Sequence, residues 1–380
     1  MRRIERNAPE VLKNIQALRA VAALLVVFDH MNGVLANSDP GSRTIFYAFR
    51  YIGNFGVDLF FVISGFIMVA TNWNAFARPN ASRIFLLRRV ARIYPPYWFV
   101  LLPIVAAFVI APHELMRSHE GRSDIVSSLF LLPQKNDPLL IVSWTLTFEM
   151  FFYVIFGLFL KVSRNALLPL LGLWFGVQMV LAIVLHGSAN PYLGFLSIPL
   201  PLEFIMGAGV GYLFRHGTAP LARSFGAVGT IVIVYVWIAS ATPGMTAELG
   251  ANGFARVIQF GIPAALIVYG AIGWEGRGGI IAPSWTVALG DASFAIYLWH
   301  VPIGIVIGAV AARLHVRGLF ADYLIQVGCL IITLGVSLAA YRYFERPMTA
   351  FLNKQIARRF VEPQKISSLR EPSGVLIENA

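Results

Sequence analysis

The sequence predicts an all-α protein threaded through a membrane about ten times, with both termini on the cytosolic side. Three observations lead there. Mean hydropathy is +0.70. Only 13% of the 380 residues are charged against 57% hydrophobic, where soluble domains average about 25% charged, too little polar surface to cover a water-soluble core. Apolar stretches near spanning length recur along the chain, and arginine gathers between them.

A helix needs about 20 mostly apolar residues to cross a bilayer, and ten stretches approach that. They are 15–36, 54–71, 96–112, 143–160, 166–186, 193–214, 222–241, 254–273, 285–312 and 321–344. The first is apolar apart from Arg19, Asp29 and His30. The second is short and glycine-rich. The third is short as well and starts where Pro95 and Pro96 are expected to break the preceding helix. The fourth opens on Trp144, a residue suited to a membrane interface. Of the remaining six, the ninth is long and holds Pro302, an expected kink. Residues 1–14 read as a charged cytosolic extension without a cleavage site, 15–350 as the membrane domain, and 351–380 as a cytosolic tail, disordered from Glu362 onward.

Sidedness follows from Lys and Arg in short loops. With the N-terminus inside, the inner loops collect Arg78, Arg83, Arg88, Arg89, Arg92, Lys161, Arg164, Arg215, Arg223 and Arg277, and the tail adds Arg346, Lys354, Arg358 and Arg359. The opposite face keeps fewer. The net charge of +11 therefore reads as loop charge rather than a nucleic-acid surface, and no nucleic-acid-binding motif is present. The single cysteine, Cys329, excludes an internal disulfide framework and a cysteine metal cluster.

Five segments carry ionisable or polar groups where lipid disfavours them. In LRAVAALLVVFDHMNG, Arg19 and His30 are about three turns apart on nearly one face, a rise of about 16 Å. Ala23 and Val26 between them are small enough for a groove. His30 can take and return a proton near neutral pH, or it can simply bond a neighbouring helix. Asp29 points about 100° away from it. In SWTLTFEMFFY, Thr145, Glu149 and Tyr153 share a face, and the opposite run of the two helices puts Glu149 at the depth of His30, where it could orient the imidazole or serve a structural bond. In GDASFAIYLWHVP, Ser293, Tyr297 and His300 form a polar stripe, either lining a cavity or sealing a helix seam. In ASRIFLLRRVARIYPPYW, the Arg88, Arg89 and Arg92 forks suit phosphate oxygens or anionic lipid head groups. In GNFGVDLFFVISGF, the glycines allow close helix approach, and Asp58 needs a partner.

Together these segments resemble the membrane-bound acyltransferase 3 family, and within it the exopolysaccharide-production and O-antigen acetylases. The likeness rests on Arg19 and His30 with ten residues between them, GVDLFFVISGF, RRVARIYPPYW, SWTLTFE, Tyr297-Leu298 with His300 and Pro302, and Tyr341, Glu345 and Pro347 of YRYFERPM. It spans most of residues 12–350. Phe294 and Met150 depart from the common pattern, the latter against a two-carboxylate scheme at Glu149.

The resemblance implies a ten-helix core in the bacterial inner membrane. It also implies transfer of an acyl group, usually acetyl, from cytosolic acetyl-CoA or another acyl-CoA to a hydroxyl of a cell-envelope glycan or its lipid-linked precursor, with no metal. His30 would act as base or as nucleophile, with Glu149, and Asp29 beside it, in the catalytic group. Arg19, Arg88, Arg89, Arg92 and Tyr94 would hold the coenzyme. Asp58, Ser64, Trp144, Ser293, Tyr297 and His300 would meet substrate or the developing oxyanion. Membrane lipids are partners in any case, a polysaccharide assembly complex is a further one, and the chain is expected as a monomer or homodimer. A transporter moving a lipid-linked sugar or acyl group without bond chemistry is the alternative, although the inverted repeats common in transporters are absent from the sequence.

Overall fold

The computed structural model describes residues 12–36, 38–39, 41–50, 52–110, 124–217, 219–241, 253–276 and 281–360. The sequence readings that fall on 1–11, on Arg277 and on the tail from 361 lie outside them. Among the described residues every regular element is a helix. It runs α1 (Lys13–Val34), α2 (Gly53–Asn72), α3 (Ala81–Ile110), the short α4 (Ile125–Phe130), α5 (Trp144–Phe159), α6 (Leu167–Val184), α7 (Pro191–Ser197), α8 (Pro201–Arg215) and α9 (Ala222–Ala241). It continues with α10 (Phe254–Glu275), α11 (Ser284–Asp291), α12 (Ser293–Arg313) and α13 (Leu319–Phe360). Nine of these are long and apolar enough to cross a bilayer, and the pair α7–α8, bent by 43°, brings the total to ten. The chain is a multi-pass membrane protein.

Four expectations about individual spans fail for physical reasons. Pro95 and Pro96 do not end a helix: α3 runs unbroken through them and through Pro103. Tertiary bonds brace this stretch where prolines remove backbone donors. Tyr94 Oη donates to the Phe130 carbonyl (2.9 Å), Tyr97 Oη to that of Ser128 (2.5 Å) and Trp98 Nε1 to that of Leu129 (2.9 Å). The expected 193–214 span is not one straight helix but a bent pair, broken between Ser197 and Pro201 and together long enough to cross. Gln178 Nε2 from α6 bonds the carbonyls of Leu196 (3.0 Å) and Ile198 (2.9 Å) at the break.

The 285–312 span is broken at Ala292, while Pro302 sits inside a continuous α12. Beside that break Gly290 lies against the Gln16 backbone, so closely that a Cβ there would sit 2.0 Å from the Gln16 carbonyl oxygen. The last span does not end at 344: it passes through a wide π-type turn at Tyr341–Glu345 and stays helical to Phe360, into what the sequence reads as tail.

Close packing holds the centre together. Helices α2 and α8 meet through Gly65 and Gly207, each facing the other's backbone, and a Cβ on Gly65 would lie 2.1 Å from the Phe204 carbonyl oxygen. Small residues at such crossings let dispersion contacts do what hydrophobic burial cannot do in lipid. Aromatic rings fill the space beside them, with Phe152 stacked on Phe204 at 4.3 Å and Phe148 on Phe195 at 4.2 Å. Outward faces such as Ile183, Val184 and Ile231 are apolar and exposed, as lipid contact requires.

Asp58 lies in this core and is fully buried. Arg256 grips it through Nε (2.9 Å) and Nη2 (3.0 Å), a bidentate pair. The buried carboxyl of Glu203 lies alongside both. The expected buried salt bridge therefore exists, and it takes Asp58 out of reach of a substrate. Removing one partner from such a pair strands the other. Asp58→Ala is expected to cost about 3–5 kcal/mol, read as a lowered melting temperature in detergent. The apolar double substitution Asp58→Leu/Arg256→Met is expected to recover most of it.

Candidate active site

A narrow cavity of about 70 Å³ runs inside the bundle. At one end it is bordered by Arg19 of α1 and Arg92 of α3, and further along by Ser64, Glu149, Thr145 and Tyr297, with Ser293 beside the arginines' end of α12. Arg19 is buried, donates from Nη1 to Gln16 Oε1 (2.9 Å), and has Arg92, Glu345 and Asp291 as charged neighbours. Arg89 lies over the rings of Phe85 (5.4 Å) and Tyr153 (5.6 Å), while Arg88 is exposed. Of the arginine cluster, then, Arg92 faces the cavity, Arg89 packs behind it and Arg88 points to the surroundings. Tyr94 braces the 128–130 segment instead of joining them.

Outside the cavity lining, next to Tyr297, stand two histidines. His30 Nδ1 lies 2.9 Å from the Val26 carbonyl. A carbonyl can only accept, so the proton is on Nδ1 and the lone pair on Nε2. The side chain is 38% exposed, and its Nε2, unlike that of His300, is not among the buried atoms without a partner. His300 makes the same bond to Ile296 (3.2 Å), is buried, and has no hydrogen-bond partner at Nε2. The two rings meet edge to face, 5.0 Å between centroids.

The expected partnership of Glu149 with His30 is not formed. Glu149 Oε1 accepts from Ser64 Oγ (3.3 Å) and from the Tyr153 hydroxyl. Tyr297 Oη pairs with Thr145 Oγ1 (2.8 Å), one turn before Glu149, and its ring packs 5.7 Å from His300, the ring that meets His30. The carboxylate within ion-pair reach of His30 is Asp29, at 3.9 Å, and its side chain packs against Gly53. The groove expected along Ala23 and Val26 is also closed. Small residues drew a neighbouring helix in: Gly56 of α2 sits against the Ala22 carbonyl and Val26, and both Ala23 and Val26 are buried.

The polar stripe on α12 splits in the same way. Ser293 and Tyr297 border the cavity, and His300 faces His30. Trp144 lies on the other side of α5, under the Arg256 guanidinium (5.7 Å). Three participants escaped sequence reasoning. Glu203 was visible as a lone acid in an apolar run, Arg256 sat at a span edge, and Gln326, whose Nε2 bonds the Met31 carbonyl (2.9 Å), is the kind of buried amide the ionisable-residue rule passes over. Among the described residues, no group of three or more His, Cys, Asp or Glu could hold a metal ion.

Polar groups thus line up from a basic end to a histidine pair through an apolar bundle. The acyltransferase domain family matches residues 12–342. The chain belongs to the acyltransferase 3 family. Exopolysaccharide production protein ExoZ of Rhizobium meliloti is 32% identical over 330 residues, 81% of this chain and 92% of ExoZ. Peptidoglycan O-acetyltransferase OatA of Listeria monocytogenes is 23% identical over 343 residues, 80% of this chain and 51% of that protein. The putative peptidoglycan O-acetyltransferase YrhL of Bacillus subtilis is 29% identical over 174 residues, 40% of this chain and 24% of YrhL. No solved structure matches. As a member of this family the chain is an enzyme of the O-acetyltransferase type, and the transporter reading loses its ground.

Proposed function

We propose that this acyltransferase moves an acetyl group from cytosolic acetyl-CoA to a hydroxyl of an envelope polysaccharide, or of its lipid-linked precursor, across the bacterial inner membrane. The observation that carries the reading is the His30 imidazole, fixed as the Nδ1–H tautomer with an accessible Nε2. In the reaction the acceptor hydroxyl gives its proton to Nε2 as its oxygen attacks the thioester carbon. The carbon–sulfur bond breaks, an ester forms, and the coenzyme thiolate leaves to be protonated. The narrow cavity suits the thin acyl–pantetheine end alone. The nucleotide would stay outside, its phosphates near Arg92 and the exposed Arg88.

Ser293 belongs to the donor's path rather than the reacting centre, since seven residues of α12 separate it from His300, about 10 Å of rise. Its test is a thiol-release assay on purified protein in detergent with acetyl-CoA and envelope glycan. Arg92→Ala is expected to raise the KM for acetyl-CoA about tenfold, or about 1.4 kcal/mol, with Arg92→Lys in between. A KM equal to that of the unaltered protein would remove Arg92 from the donor site.

A further inference from the structure

A second cavity, about 340 Å³, opens on the far side of α5 from the first, a size in the range of small-molecule sites. Its floor is aromatic: Trp144, and Phe148 stacked on Phe195. Its walls are hydroxyl- and amide-bearing, with Thr147 on α5, Gln134 on the preceding segment, and Asn190 and Ser188 before α7. Gln134 Oε1 is buried without a hydrogen-bond partner, although its Nε2 reaches Ser128 Oγ (3.5 Å). Lys135 and Asp137 supply one charge of each sign.

We propose that this cavity binds an uncharged sugar unit of the acceptor glycan. The inference rests on the acetyl-transfer reading above. Aromatic faces take the apolar faces of a pyranose ring, and side-chain amides and hydroxyls pair with its hydroxyls. Asp137 cancels the charge of Lys135, the lining's one cation, so an acidic sugar meets no net positive charge to offset desolvation of its carboxylate.

The indole is held for such a role. Arg256, gripped by buried Asp58, sits 5.7 Å from its ring centre, which couples the ionic core to the cavity floor. The cavity is also on the histidine side of the bundle. Trp144 adjoins Thr145, Thr145 bonds Tyr297, Tyr297 packs on His300, and His300 on His30. This chain of side-chain contacts is the link between a glycan seated here and His30.

The test uses the full chain in detergent, with Thr147→Cys as a reporter, because the native Cys329 is buried. The probes are oligosaccharides cut from the producing cell's own envelope polysaccharide and de-O-acetylated, neutral units on one side and galacturonate oligomers on the other. Maleimide labelling at position 147 is expected to slow at least fivefold with the neutral oligosaccharides and less than twofold with galacturonate. Labelling of Lys161→Cys, an exposed site elsewhere on the protein, should not slow.

Should Thr147→Cys fail to fold, Ser188→Cys on the opposite wall takes its place. Equal labelling with and without neutral oligosaccharide overturns the site, and equal protection by galacturonate overturns the charge argument. Labelling needs no turnover, so the two readings separate. Protection without thiol release from acetyl-CoA would contradict the donor assignment and leave the sugar site standing.

Discussion

His30→Ala is expected to lower acetyl transfer by about a thousandfold, the middle of what a positioned base contributes, with little change in the melting temperature. The geometry behind this is specific. The Val26 carbonyl fixes the tautomer (2.9 Å), so the lone pair is presented at Nε2, and the 38% exposure of the side chain lets a hydroxyl reach it. His30→Asn can keep a donor near the Nδ1 position but has no basic nitrogen, and it should be as inactive as the alanine variant. Folding is checked independently through Cys329, which is buried and reacts with a fluorogenic maleimide only as the bundle opens. A folded His30→Ala protein that retains a tenth of normal turnover would remove the base from the mechanism.

Gly207→Val should have the largest effect on assembly. A Cβ at Gly207 would lie 2.0 Å from the Val62 carbonyl oxygen and 3.0 Å from the Phe66 amide nitrogen. These are backbone atoms of the neighbouring helix, and they cannot swing aside as a side chain would. The helices must separate, which also loosens the matching contact at Gly65, and the cost is about 3 kcal/mol or more. The Cys329 dye transition is expected to fall by about 5 °C or more, with reduced yield from membranes. Gly209→Ala, two residues along and with nothing within 4 Å of an added Cβ, serves as the contrast: its transition should stay within about a degree. If both variants melt alike, the α2–α8 crossing is not what holds the centre.

Span existence was legible because lipid imposes one rule on every crossing helix, and composition obeys it. Ala222–Ala241 and Gly53–Asn72 lie within a residue of where hydropathy put them. Breaks and continuations were not legible, because they are decided by partners distant in sequence. Prolines 95 and 96 sit in an unbroken helix thanks to bonds from Tyr94, Tyr97 and Trp98 to a segment some thirty residues on.

The site shows the same division. The intramembrane charges at 19, 30, 58 and 149 were readable one by one, but their pairing was not. Asp58 went to Arg256, 198 residues away, and Glu149 to Ser64 and Tyr153, leaving His30 beside a second imidazole. Depth along a helix follows from counting residues; which neighbour turns toward which does not.

The unbroken α3 has a mechanical consequence. The same rod carries Arg92 at the cavity's basic mouth and, from Tyr94 to Trp98, the three tethers to residues 128–130, the stretch leading directly into the Gln134 wall. Helices are stiff along their axes, and only about 8 Å separates Arg92 from Tyr97. Tugging on one end of that rod displaces the other, so the proposed donor and sugar sites share a single strut.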